Sequence, residues 1–223
     1  MARIARVVVP GFPHHITQRG NRRQPVFFCD SDYAAYIDLM AEWCKKYGVE
    51  IWAYCLMPNH IHLIATPKTK DGLCRAIGEA HRRYTRMINF RKKWRGYLWQ
   101  GRFASFSMDD TYMFRASRYI EMNPVRAGIV RRAERYKWSS AKAHLEWKDD
   151  KLVKVAPVLR KSINWRTYLC EKEDDKFAEM LAKHQRTGRP LGKEKFIARL
   201  SRILSRDLRL KKPGRKPRKK RSR

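Results

Sequence analysis

Residues 51–66 read IWAYCLMPNHIHLIAT. Two apolar runs flank Pro58-Asn59, each too short for a helix and rich in β-forming residues, so the stretch is a β-hairpin. Proline suits the turn, where its fixed φ helps and its missing N–H costs least. Along the returning strand successive side chains point to opposite faces. His60, His62 and Ile64 therefore share one face, and Ile61, Leu63 and Ala65 share the other. One side of this sheet is suited to a core, while the other carries two imidazoles that need a chemical partner from elsewhere in the chain.

Working outward, HHITQR at 14–19 reads as the first strand. It ends at Gly20, where a turn or a close backbone approach needs glycine. The loop 20–25 presents Asn21, Arg22 and Arg23, with Arg19 just before it, a composition fit for phosphate and base contacts. A helix over 32–47 follows, capped by Asp30 or Ser31 and ended by Gly48. Its apolar stripe is Tyr33, Tyr36, Ile37, Met40, Ala41 and Cys44. Beyond the hairpin, Leu73, Ile77, Ala80, Tyr84 and Ile88 mark a second helix over 73–90. His81 on that helix reads as a surface or half-buried residue rather than a ligand. A basic linker at 91–95 leads to one or two strands within 96–108. Asp109-Asp110 then open a third helix reaching about 122. Met113, Ala116 and Ile120 form its apolar stripe, and Tyr112, Arg115, Tyr119 and Asn123 lie on an adjoining mixed face. Pro124 closes it, and a short helix over 141–147 follows. Strand, helix, hairpin, helix, strand, helix is the element order of a ferredoxin-like α+β fold, an antiparallel sheet with helices on one side and the other free for ligands.

The whole chain of 223 residues carries a net charge of +31, which points first to nucleic acid and second to an acidic membrane. No apolar run is long enough to span a membrane, and no amphipathic apolar face accompanies the terminal charge run, so a membrane partner is not expected. Five cysteines without a C-x-x-C pair argue against a disulfide framework or a cysteine zinc site. They fit a reducing cytosol. The opening MARIARVVVPGF lacks the pattern of a secretory signal. Composition shifts near 149, so residues 1–148 are expected to form one domain and 149–223 a basic extension. From Lys183 onward there are 18 Lys and Arg against 2 acidic residues. The tail from about 211 is expected to be disordered when free. Its PGRKPRK core, with Arg215, Lys216 and Arg218, is similar to an arm for an A·T-rich minor groove, and equally to a plain charged tail.

Neutral imidazoles suit Mn²⁺ or Zn²⁺, and an oxygen ligand beside them would make Mg²⁺ acceptable. The hairpin supplies no nucleophile. Tyr119 and Asn123 lie about one helical turn apart, so one helix laid over the histidine face could bring a phenol and a carbonyl oxygen together. From the residues alone Tyr119 is favoured only slightly over Tyr112, and an ordinary packing role for it stays open.

Several blocks in order carry a family resemblance: HHITQRGNRRQPVFF at 14–28, YCLMPNHIHLI at 54–64, GYLWQGRF at 96–103, YIEMNPVRAGIV at 119–130, WSSAKAH at 138–144 and TGRPLG at 187–192. Together they resemble the HUH tyrosine transposases, specifically the REP-associated branch of the single-tyrosine insertion-sequence enzymes. The resemblance implies His60 and His62 as metal ligands, Tyr119 as nucleophile and Mg²⁺ or Mn²⁺ as cofactor. It places Asn123 where the insertion-sequence relatives have a glutamine as third ligand; asparagine is one methylene shorter, so Glu121 or water could share that position. It also implies cleavage and rejoining of single-stranded DNA beside a palindromic hairpin through a 5′-phosphotyrosine bond. The partner would be that hairpin-bearing DNA, and the protein a cytoplasmic, nucleoid-associated bacterial monomer or homodimer. Arg19, Asn21, Arg22, Arg23, Arg102, Arg115, Arg118 and Arg126, with the basic arm, would hold the DNA. The alternative is a structured DNA or RNA binder without cleavage activity.

Overall fold

The computed structural model describes residues 4–159, 164–171 and 174–209. Strand β1 (His14–Arg19), β2 (Val49–Met57), β3 (His60–Pro67) and β4 (Ala104–Ser107) form one sheet in the order β2-β3-β1-β4, antiparallel throughout. Helix α1 (Asp30–Lys46) joins β1 to β2, and α2 (Gly72–Lys92) joins β3 to β4. The hairpin, both helices and the ferredoxin-like order are as the sequence pattern predicts. The span 96–108 yields β4 and two isolated bridges, from Trp99 to Gly20 and from Met108 to Leu191. At Gly20 an added Cβ would lie 2.2 Å from the Gln24 carbonyl oxygen, so the close approach expected there is real.

Period-2 alternation separates the two faces. Ile16, Ile61 and Leu63 lie on one face, each 0% exposed. Gln18, on the same face, opens onto the same cavity as His81 of α2. Helices α1 and α2 pack on this side, and their Tyr36, Met40, Leu73, Ile77, Tyr84 and Ile88 are fully buried. His81 is buried as well, its Nε2 2.8 Å from the Tyr36 hydroxyl and its ring stacked on Trp99. It is a core histidine, further inside than its pattern indicates. The N-terminus of α1 is held by Asp32, which accepts from the Phe28 N–H at 2.8 Å. Neither Asp30 nor Ser31 is the cap: the start is closed by a side chain reaching back, as in a capping box.

The other face is covered by α3 (Asp110–Glu121). Its start is fixed by Asp109, which accepts from the Tyr112 N–H at 3.0 Å and stabilises the first turn. Pro124 does not end the helical path. It falls in the first turn of α4 (Asn123–Arg126), where a proline's missing N–H is harmless. Short helices α5 (Ala141–Leu145), α6 (Ala156–Leu159) and α7 (Trp165–Cys170) follow, then α8 (Asp175–Thr187) and α9 (Glu194–Ile203).

Packing does not break at 148–149. Trp165, Leu169, Phe177, Leu181 and Leu191 belong to the same buried cluster as the sheet, and Val153 and Leu191 bridge to Ile51 and Met108. A smaller cluster unites Val7, Val9, Leu200 and Leu208, so the basic extension is anchored through α9 to the start of the chain. No helix among the described residues is long and apolar enough to cross a membrane. Arg215, Lys216 and Arg218 lie outside the described residues.

Candidate active site

The register of the sheet sets the site. His62 stands opposite Thr17 on β1, and His60 opposite Arg19. The rings of His60 and His62 meet edge to face with centroids 5.1 Å apart. Above them α3 brings the half-buried Tyr119, whose ring centroid is 6.3 Å from that of His62. Both histidines and the tyrosine come from the same copy of the chain. They open, with Asn123, onto a cavity of about 1050 Å³ between the sheet and α8. Arg19, Arg102, Lys176, Lys183 and Arg186 line it against one acid, Glu179. Such a wall favours a polyanion.

Each histidine is oriented through Nδ1. His60 Nδ1 lies 2.6 Å from Asn59 Oδ1. His62 Nδ1 lies 3.2 Å from Nε2 of His15, one strand away, with the two rings stacked. The Nε2 atoms of His60 and His62 make no hydrogen bond among the described residues. Burial lowers the His60 pKa to about 4, aided by Arg19 and Arg126. Burial first, then the neighbouring His15 and His60, drives that of His62 well below its ordinary value. Both rings are neutral near pH 7, the form that ligates metals, with Nε2 atoms spared for the purpose. Two imidazoles with the Asn123 amide oxygen are a donor set that could hold a divalent ion, while no group of three or more His, Cys, Asp or Glu side chains comes together among the described residues.

His15 is the residue the sequence pattern did not single out. It is 1% exposed, and its Nδ1 has no hydrogen-bond partner. For His62 to ligate through Nε2, its Nδ1 must carry the proton and donate to His15 Nε2. His15 then holds its own proton on the unpartnered Nδ1, a buried polar cost of that arrangement. The available signal was the period-2 pattern itself, which puts His15 and Thr17 on the histidine face. His184 on α8 also enters the cavity unforeseen; its Nδ1 lies 2.9 Å from the Arg189 carbonyl oxygen, beside the TGRPLG block.

Asn123 reaches the cavity, but its carbonyl oxygen accepts a hydrogen bond from Arg126, and its amide donates to the Ile120 carbonyl at 3.1 Å. The same Arg126 guanidinium lies 3.7 Å above the Tyr119 ring. Arg126 therefore ties Tyr119 and Asn123 together. Glu121 is excluded as a ligand. It is fully buried on the far side of α3, accepting from Ser140 Oγ at 2.5 Å, His144 Nδ1 at 2.5 Å and Trp165 Nε1 at 2.8 Å.

Two arginines expected at the DNA serve the fold. Arg118 is 9% exposed; its Nε donates to the Tyr168 carbonyl at 2.6 Å and another nitrogen donates to that of Glu171, closing the carboxyl end of α7. Arg115 pairs with Asp174 at 2.6 Å and stacks on Phe177, which fastens α3 to the start of α8. Both corrections have one cause: helical spacing puts a side chain on a face but does not reveal that a later helix covers that face. Asn21, Arg22 and Arg23 lie in the loop beyond Arg19, with both arginines exposed.

Residues 9–123 match the family described as Transposase IS200 like. The chain belongs to this family. A relative in Haemophilus influenzae, named "Putative REP-associated tyrosine transposase", is 31% identical over 108 residues, covering 44% of this chain and 61% of that protein. The chain thus spans about three fifths of the curated relative's length. A solved structure of a REP-associated tyrosine transposase bound to a REP hairpin superposes with a TM-score of 0.56 at 21% identity, over 69% of this chain and 95% of that one. At that identity the likeness speaks for the fold, and it agrees with the α+β architecture read from the sequence.

Proposed function

We propose that this IS200-like family member is a single-stranded DNA endonuclease and strand transferase of the REP-associated kind, with Tyr119 as nucleophile. The observation that supports it is the placement of Tyr119 over the His60–His62 face inside one basic cavity. The Tyr119 hydroxyl makes no hydrogen bond among the described residues, so it can approach a phosphorus atom without first breaking one. Attack on a phosphodiester forms an O–P bond to tyrosine and releases a 3′-OH, keeping the bond energy for rejoining. Arg19 and Arg102 hold the strand by its phosphates. Arg126, stacked on the Tyr119 ring, helps to hold that ring in place. His60 and His62 would hold a divalent ion, Mg²⁺ or Mn²⁺, through Nε2, with Asn123 as a third oxygen ligand once Arg126 turns to the phosphate. Such an ion supplies Lewis-acid polarisation of a nonbridging oxygen. His15 would accept from His62 Nδ1 in the ligating tautomer and so orient its ring.

The substrate on this reading is a palindromic hairpin with single-stranded flanks, cut beside the stem. Incubation with hairpin-tailed single-stranded DNA and Mn²⁺ should give a denaturation-resistant protein–DNA adduct. Tyr119→Phe should abolish it, and an adduct of equal yield from that variant would sink the mechanism.

A second reading, a hairpin binder without cleavage, draws on the engagement of the Asn123 oxygen by Arg126. Calorimetric titration separates the two: Mn²⁺ binding that disappears in His60→Ala supports the enzyme, and no binding by the parent supports the binder.

A further inference from the structure

Three large aromatics stand in solvent within eight residues: Phe90 is 87% exposed, Trp94 42% and Tyr97 85%. Neither the core nor the tyrosine site uses them. Phe90 lines a separate cavity with Arg82, Arg83 and Arg86, and three adjoining cavities show where Trp94 and Tyr97 lie. Gln18 and Arg102 line both the tyrosine cavity and a second one of about 450 Å³. Gly96, Tyr97 and Leu98 line that second cavity and also a third of about 560 Å³, which the loop of Asn21 and Arg22 closes on its far side. The cavities therefore form one track, leading from Tyr119 past Arg102 and Tyr97 to Arg22 and Trp94.

The walls of the second and third cavities contain no acidic residue, while Arg82, Arg102, Arg22, Lys93 and Arg95 line them. The indole N–H of Trp99, in the wall of the second, is buried without a hydrogen-bond partner. On the far side Arg22 and Arg23 have φ of 52° and 63°, a costly left-handed backbone for arginine. Such strain persists where surroundings impose it, and it concentrates at binding sites. Flat aromatics interleaved with cations are the chemistry that holds unpaired bases, the rings stacking on bases and the cations tracking phosphates.

We infer that this track holds the unpaired nucleotides flanking the cleaved bond, with Tyr97 and Trp94 as stacking platforms and Arg22, Arg95 and Arg102 along the backbone. The inference rests on the single-strand reading above and specifies where the strand runs. Affinity is measured by fluorescence anisotropy on full-length protein, with one hairpin carrying unpaired tails on both sides and the same hairpin blunt. Tyr97→Ala should weaken binding of the tailed hairpin about tenfold, leave the blunt one unchanged, and be rescued by Tyr97→Phe. Exposure of this side chain makes misfolding of the variant no explanation. If Tyr97→Ala and the Trp94→Ala, Tyr97→Ala double variant keep the parent's affinity for tails, or lose affinity equally for both substrates, the track is wrong while single-strand cleavage stands. If the parent itself shows no preference for tails and forms no Tyr119 adduct, both readings fall together.

Discussion

Leu63 and His62 are neighbours in sequence and face opposite ways. On the Leu63 side the sheet is sealed by α1 and α2 with fully buried apolar side chains. On the His62 side α3 and α8 leave a cavity walled by arginines and lysines. On β3 the core falls on odd residues and the histidines on even ones, and on β1 the parity is reversed, with Ile16 in the core and His15, Thr17 and Arg19 on the open face. The lesson is mechanical: side chains that must keep their geometry are rooted in the backbone that the core holds most firmly.

This contrast predicts effects of different size and kind on its two sides. The largest belongs to the sealed face. Leu63→Ala should cost about 2–5 kcal/mol of unfolding free energy through the lost burial and the cavity left behind. Denaturant unfolding measures it, and a loss below about 1 kcal/mol would show that this face is not the core. On the open face, His15→Leu should leave the fold standing but weaken Mn²⁺ binding about 10- to 100-fold, the usual consequence of removing the partner that orients a ligating histidine. Unchanged affinity in calorimetry would remove His15 from the site.

The arginines sharpen the comparison at smaller scale. Arg22→Ala should lower the slope of log affinity against log salt by about one, the signature of one phosphate contact. Arg118→Ala should leave that slope alone and cost about 1–3 kcal/mol of stability, because it strands carbonyl groups at the end of α7. The reverse result would mean that these two arginines have been assigned to the wrong jobs. The smallest effect concerns protons. Burial holds His81 at a pKa of about 3, while an unfolded histidine titrates near 6.5. A depressed folded pKa means that the unfolded state binds the proton first as pH falls. The stability associated with neutral His81 is thus complete above about pH 6.5 and lost progressively toward pH 3. In His81→Gln the proton uptake on unfolding between pH 6 and 4 should drop by about one, read from the pH dependence of the unfolding free energy.

The hairpin made the fold legible, because a period of two is visible in eight residues and the turn at Pro58-Asn59 fixes the return. The histidine pair was legible for the same reason, whereas Tyr119 was favoured only slightly over Tyr112 by its helical spacing and was singled out by motif blocks in a recognisable order. What the sequence hid were relations across elements. That His15 bonds His62 depends on a one-strand register, which no local pattern states. That Arg118 is covered and Arg115 is tied to Asp174 depends on α7 and α8, which begin some fifty residues later. His81 looked exposed on a helix rich in arginine, but Trp99 comes back to cover it. Glu121 sits two residues from Tyr119, and a helix turns such a neighbour about 200° away, here into the core with Ser140, His144 and Trp165.

The central claim is that Tyr119, held above His60 and His62, takes the phosphate. Trypsin should cut after Arg118 and Arg126, releasing YIEMNPVR with Tyr119 at its first position. After reaction with hairpin-tailed single-stranded DNA and nuclease trimming, mass spectrometry should find that peptide heavier by a nucleotide phosphate attached to the tyrosine. An adduct mapped to Tyr112 or another tyrosine, or the unmodified peptide beside cleaved DNA, would contradict the account.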